Sequence, residues 1–151
     1  MADDLHDTDF YAWTQAQARA LRSREAGANS LDYDNLAEEV DDLGNSVRRA
    51  CVSQIDNILT HLLKITLQGG DDVAHWASEI VAFRIELERD LTPTLRASLP
   101  RELDAIYLAA RRRLTARWRA EGVAIDIPER SPFGWDEVLG KGADWVPDPP
   151  A

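Results

Sequence analysis

One run of apolar residues constrains this chain more than any other feature. Leu36, Val40, Leu43, Val47, Cys51, Ile55, Ile58, Leu62 and Ile65 recur at spacings of three and four. At about 100° per residue they draw one stripe along a helix, which other helices must cover. Asp32 is placed to cap its start, and the pattern predicts a helix over 33–68. Unbroken, that helix is about 50 Å long at about 1.5 Å per residue. Its tail, Ile58-Leu59 with Leu62-Leu63, is apolar on more than one side and is the stretch expected to be most buried. Leu43 and Leu62 are both expected in the core. Gly44 costs about 1 kcal/mol relative to alanine inside a helix, so a kink or a close helix crossing is expected there.

The remaining segments supply the cover. A first helix over 9–25 carries Phe10, Trp13, Gln17 and Leu21 on one side, with Thr8 or Asp9 as its cap and Gly27 as a left-handed stop. A third, over 73–91 and capped by Asp72, carries Trp76, Ile80, Phe83, Leu87 and Leu91. Proline cannot sit inside a helix without losing a hydrogen bond and clashing with the previous turn, so Thr92-Pro93 reads as a stop and restart. Ser98-Leu99-Pro100 repeats that logic. A fourth helix over 100–121 carries Leu103, Tyr107, Ala110, Leu114 and Trp118. Beyond Gly122 the texture changes, and five of the seven prolines lie in 128–150. A short helix near Asp136-Glu137 should end at Gly140. Trp135, Val138, Leu139 and Trp145 are too apolar for a free tail, so this segment is expected to pack back on the bundle. No stretch alternates as a strand does. The fold predicted is all-α: one domain over 1–151, a bundle of about four main helices, with residues 1–7 flexible.

Composition narrows the function classes. With 17 basic and 27 acidic side chains, the net charge of -10 makes nucleic acid an unlikely partner for the surface as a whole. A single cysteine, Cys51, excludes an intramolecular disulfide framework and fits a reducing, cytoplasmic setting. No run reaches the roughly 18 apolar residues that span a bilayer, and the acidic opening Met1-Ala2-Asp3-Asp4 does not read as a secretory signal.

Four segments stand in order along the chain. They are Asp9-Phe10-Tyr11-Ala12-Trp13-Thr14 with Gln17 and Leu21-Arg22, Leu36-Ala37-Glu38-Glu39-Val40 with Leu43-Gly44, His61-Leu62-Leu63-Lys64, and Pro132-Phe133 through Val138-Leu139 to Trp145-Val146-Pro147. Together they resemble a bacterial family known as domain-of-unknown-function family 29, over about residues 5 to 147. The resemblance implies an all-helical domain and carries no activity, substrate or catalytic residue.

The candidate site residues are His61, Glu39, Lys64, His75 and Glu79. His61 sits at the edge of the long stripe, where it is either a ligand or base, or a core histidine bonded to a neighbouring helix. A carboxylate of the third helix within reach of it would favour the first reading, and a bond to a backbone carbonyl the second. Glu39 lies nearest the stripe among the acidic residues Glu38, Glu39, Asp41 and Asp42, which otherwise complement the helix dipole. His75 and Glu79, four apart, can meet on the third helix. The three histidines have no zinc-site spacing, so no metal or cofactor is expected, and Cys51 reads as a small buried hydrophobe. No phosphate loop and no nucleophile elbow occurs.

Charge is distributed unevenly. Residues 1–42 carry 3 basic and 11 acidic groups, and residues 84–119 carry 9 arginines against 5 acids. Pairing between these two blocks is the plainer expectation, and an acidic or nucleic-acid partner for the arginines the sharper one. The sequence therefore leans away from an enzyme and toward a helical protein-interaction or regulatory module, with a protein partner or a second copy of itself. The alternative is a small metal-binding or metal-dependent enzyme using His61 with Glu39, or His75 with Glu79.

Overall fold

The computed structural model describes residues 2–23, 33–142 and 144–151. It is all-helical among those residues, in the order α1 (Ala2–Thr8), α2 (Phe10–Arg22), α3 (Tyr33–Leu63), α4 (Val73–Asp90), α5 (Pro93–Ser98), α6 (Leu103–Glu121) and α7 (Trp135–Leu139). A π-helical turn, Lys64–Gln68, prolongs α3, and a 3-10 turn, Leu99–Glu102, leads into α6. The four long helices expected are α2, α3, α4 and α6. The stop at Gly27 and the cap at Asp32 lie outside the described residues. Residues 2–8 form α1, where the sequence offered no helix.

Helix α3 is the spine. Its first half packs on α2, its second half on α4 and α6. It passes through Gly44 without a break because α2 crosses there at close range. A Cβ on Gly44 would overlap Thr14 Oγ1 and lie 3.0 Å from Thr14 Cβ. Thr14 is itself fully buried and donates its hydroxyl to Tyr11 O at 2.8 Å. That proximity corrects the stripe at its upper end. The buried line runs Ala37, Gly44, Cys51, Ile58, Ile65, so the small residues face α2. Leu36 and Leu43, one residue earlier on each turn, are rotated outward and stand 41% and 50% exposed. The lower half agrees with the sequence: Ile55, Ile58, Leu62 and Ile65 are fully buried.

Helix ends follow local chemistry. Asp9 caps α2, accepting the Ala12 N–H at 2.9 Å, and its other oxygen accepts the Thr94 N–H of α5 at 2.6 Å. Thr92 caps α5 ahead of Pro93 as expected. Two expected caps are not made. Asp72 holds helical dihedrals, and its side chain accepts no cap bond from α4. Ser98 also stays helical, so Leu99-Pro100 enters a 3-10 turn instead of a capped restart. Helix α6 buries all five residues of its predicted stripe and ends on Gly122, which is left-handed at φ 73°.

From Val123 the chain returns across the bundle. Tyr107 donates its hydroxyl to Pro128 O at 2.6 Å, and Arg111 Nε donates to Ile127 O at 3.1 Å. Ile127, Phe133 and Val138 are buried in the same core cluster as α3, α4 and α6. The segment docks as the sequence predicts, with α7 ending on left-handed Gly140. No helix of the described residues is long and apolar enough to cross a membrane.

Candidate functional site

The lower end of α3 gathers four of the five candidate residues. His61 is nearly enclosed, with 12% of its side chain exposed and Phe83 edge-on at 5.3 Å. Its Nδ1 lies 2.8 Å from Asn57 O, one turn back. A carbonyl only accepts, so Nδ1 carries a hydrogen. Its Nε2 lies 2.6 Å from Glu79 Oε2 on α4. His75, largely exposed, approaches the other oxygen of Glu79 at 3.5 Å. The structure supplies both signs sought for His61, a backbone carbonyl and a carboxylate of the third helix.

Glu39 does not join this group. It is exposed on α3, about 33 Å along the axis from His61 at about 1.5 Å per residue. The pairing of His61 with Glu39 is excluded by that separation. Among the described residues no three His, Cys, Asp or Glu side chains converge as ligands, and Glu79 already fills Nε2 of His61. Cys51 is fully buried, and burial with the nearby Asp90 charge pushes its thiol up to about 11. It is an inert part of the core.

Lys64 stands in the π turn, one turn past His61. It is 7% exposed, its Nζ 5.4 Å from the centre of the Trp76 ring. Burial, with the Arg117 charge, holds its ammonium below the ordinary lysine range. It lines a cleft of about 260 Å³ between α3 and α6, together with Asn57, Thr60, His61, Arg113 and Arg117.

A second concavity lies on the other face of α4. Arg84, 3% exposed, donates Nε to Val138 O at 2.9 Å, Nη2 to Glu137 O at 2.8 Å and Nη1 to Trp145 O at 2.5 Å. Two of these carbonyls belong to the last turn of α7, where orphan acceptors attract a cation. Gly140 passes directly over the guanidinium. A Cβ there would lie 2.8 Å from it, and φ of 95° already favours glycine. Beside this clasp opens a groove of about 890 Å³, floored by Val81, Ile85 and Leu139 and edged by Glu88, Asp136, Lys141 and Asp144.

The model of the family described as domain of unknown function DUF29 matches residues 5–145. The chain belongs to DUF29. A crystal structure of an alpha-helical protein of unknown function from Rhodospirillum rubrum is similar, with a TM-score of 0.75 and 26% identity. The match covers 92% of this chain and 91% of that one. Among curated proteins none matches.

In this DUF29 chain the four segments that carried the resemblance fall at the joints of the fold. Asp9 bridges α2 and α5, and Thr14 meets Gly44. His61 meets Glu79, and the carbonyls of Glu137, Val138 and Trp145 meet Arg84. Sequence reasoning missed Arg84, counting it with the basic block and giving Phe83 its place. A signal was present: Trp76, Ile80, Arg84 and Leu87 are spaced four, four and three, one unbroken buried stripe. The expected pairing of charge blocks is also corrected. Among the described residues, Arg113 pairs with Asp56, Arg96 with Glu88 and Arg117 with Glu121, and no ion pair joins residues 1–42 to the arginines of 84–119.

Proposed function

We propose that this DUF29 chain is a non-enzymatic, single-domain helical module of the bacterial cytoplasm that binds a protein partner through the groove beside α4. The observation that carries this reading is Ile85, 63% exposed on the groove floor beside Val81 and Leu139. An apolar concavity edged by charged groups suits one or two anchoring side chains of a partner. Glu88, Asp136 and Asp144 outnumber Lys141 at the edge, while Arg84 is engaged in the clasp. A partner segment with an apolar anchor flanked by lysine or arginine matches that edge.

Peptides selected from a displayed library on the purified protein test the reading. Binders should carry an apolar anchor with basic flanks and weaken as salt rises. Ile85→Asp should weaken them about tenfold or more while leaving unfolding unchanged. Binders that ignore Ile85→Asp would overturn it. A second reading, a metal-binding protein using His75 with Glu79, is supported by their 3.5 Å approach. Stoichiometric transition metal in elemental analysis of the purified protein would favour it.

A further inference from the structure

Lys64 sets a cationic group in a cleft separate from the groove beside α4. Its side chain is more than nine-tenths buried, yet among the described residues its Nζ makes no hydrogen bond and no ion pair. The face of the Trp76 ring lies 5.4 Å from Nζ, a cation–π contact. Glu79, Glu121 and Asp72 attract it from beyond ion-pair range, and Arg117 repels it. Its stem is enclosed while Nζ itself still meets solvent at the cleft, so its donors are open to a ligand there. The π turn that carries Lys64 is itself a rare geometry, which recurs at functional sites.

What surrounds the cleft identifies the missing group. Besides Lys64, the lining supplies the Asn57 amide, the Thr60 hydroxyl, which donates to Asp56 Oδ1 at 3.4 Å, and two guanidinium groups, Arg113 and Arg117. Arg113 is held by Asp56 through Nη2 and Arg117 by Glu121 through Nε, so each keeps further N–H donors. His61 is steadied by Asn57 and Glu79 on the same wall. The volume of about 260 Å³ admits one small charged group and little more. We propose that the cleft between α3 and α6 binds a phosphoryl group, with the Lys64 ammonium on its wall and Arg113 and Arg117 at its mouth. Guanidinium forks and a lysine point charge are the pair of donors that suits phosphate oxygens.

Thermal unfolding followed against inorganic phosphate, phenyl phosphate and acetate at matched ionic strength tests the site. Phosphate should raise the Tm saturably, and acetate should not. Lys64→Met, which keeps the apolar stem, should weaken the phosphate response about tenfold or more. Arg113→Gln with Arg117→Gln changes only exposed side chains, so the test survives if Lys64→Met does not fold. That pair should weaken the response as well. A tighter response to phenyl phosphate would place the phosphoryl group on a larger ligand, and an equal one would assign the free ion. No saturable response, an equal response to acetate, or a response unchanged in the variants would overturn the site.

Discussion

Asp9 Oδ2 accepts the Thr94 N–H at 2.6 Å across 85 residues of chain, while Oδ1 accepts from Ala12. One carboxylate thus caps the first turns of α2 and α5 and fixes their ends against each other. Burial raises its pKa, but the bonds from Thr94 and Ala12 outweigh that and hold the carboxyl below its ordinary value of 3.8.

Asp9→Ala should therefore cost about 1 to 2 kcal/mol, the upper part of the range for a lost cap. A lowered native pKa stabilises above the unfolded value and loses that contribution as the pH falls through the native one. Wild-type stability should drop below about pH 4 more steeply than that of Asp9→Asn, whose amide does not titrate. Urea unfolding between pH 7 and pH 3 measures both.

Gly44→Ala should destabilise, against the gain of about 1 kcal/mol that helix propensity alone predicts. Thr14→Ala removes the hydroxyl that the new methyl would strike, so the double variant should recover stability relative to Gly44→Ala. A double-mutant cycle should show a coupling of about 0.5 kcal/mol or more.

Leu62→Ala should cost about 2 to 5 kcal/mol, as buried large-to-small changes do. Leu43→Ala, half exposed, should stay within about 0.5 kcal/mol of wild type. Denaturant midpoints of the two variants separate the buried line of α3 from its outward edge.

Arg84→Met should release the C-terminal segment. Three carbonyls lose a charged donor, each such bond contributing about 1.5 to 3 kcal/mol when made. Trp145 should report the release as a red-shifted fluorescence, and protease should cut the segment faster. Deleting residues 132–151 should likewise lower the Tm.

His61→Leu should cost more than His61→Gln, because it removes the donor to Glu79 Oε2 and leaves that half-exposed carboxylate only His75 and water. His61→Gln can still donate to the carboxylate. Equal stabilities for the two variants would mean that the bond to Glu79 contributes nothing to folding.

Where large apolar side chains fill the space between helices, the sequence pattern located them. All five stripe residues of α6 are buried, and so is the lower half of α3. The pattern failed where backbones approach too closely for large side chains. A helical wheel ranks residues by apolar bulk, so it turned Leu43 inward. At the crossing with α2 the contact instead demands Gly44, and the leucines face water. In the candidate site, His75 with Glu79 was legible because four-residue spacing brings side chains together on any helix. His61 with Glu79 was not, since their meeting depends on how α4 lies against α3. Arg84 was hidden by its charge, because its partners are carbonyls, which every residue possesses.

That last feature has a bearing on how such a chain can change over generations. The guanidinium of Arg84 grips Glu137, Val138 and Trp145 by their peptide oxygens, so it makes no demand on what those residues are. Of the side chains flanking the groove, Lys141 still pairs with Glu137 and Asp144 still bears on Arg84, but Asp136 is released from the work of attachment. Descendants of this sequence are free to rewrite Asp136, and with it part of the choice of partner, while the anchorage of the tail persists.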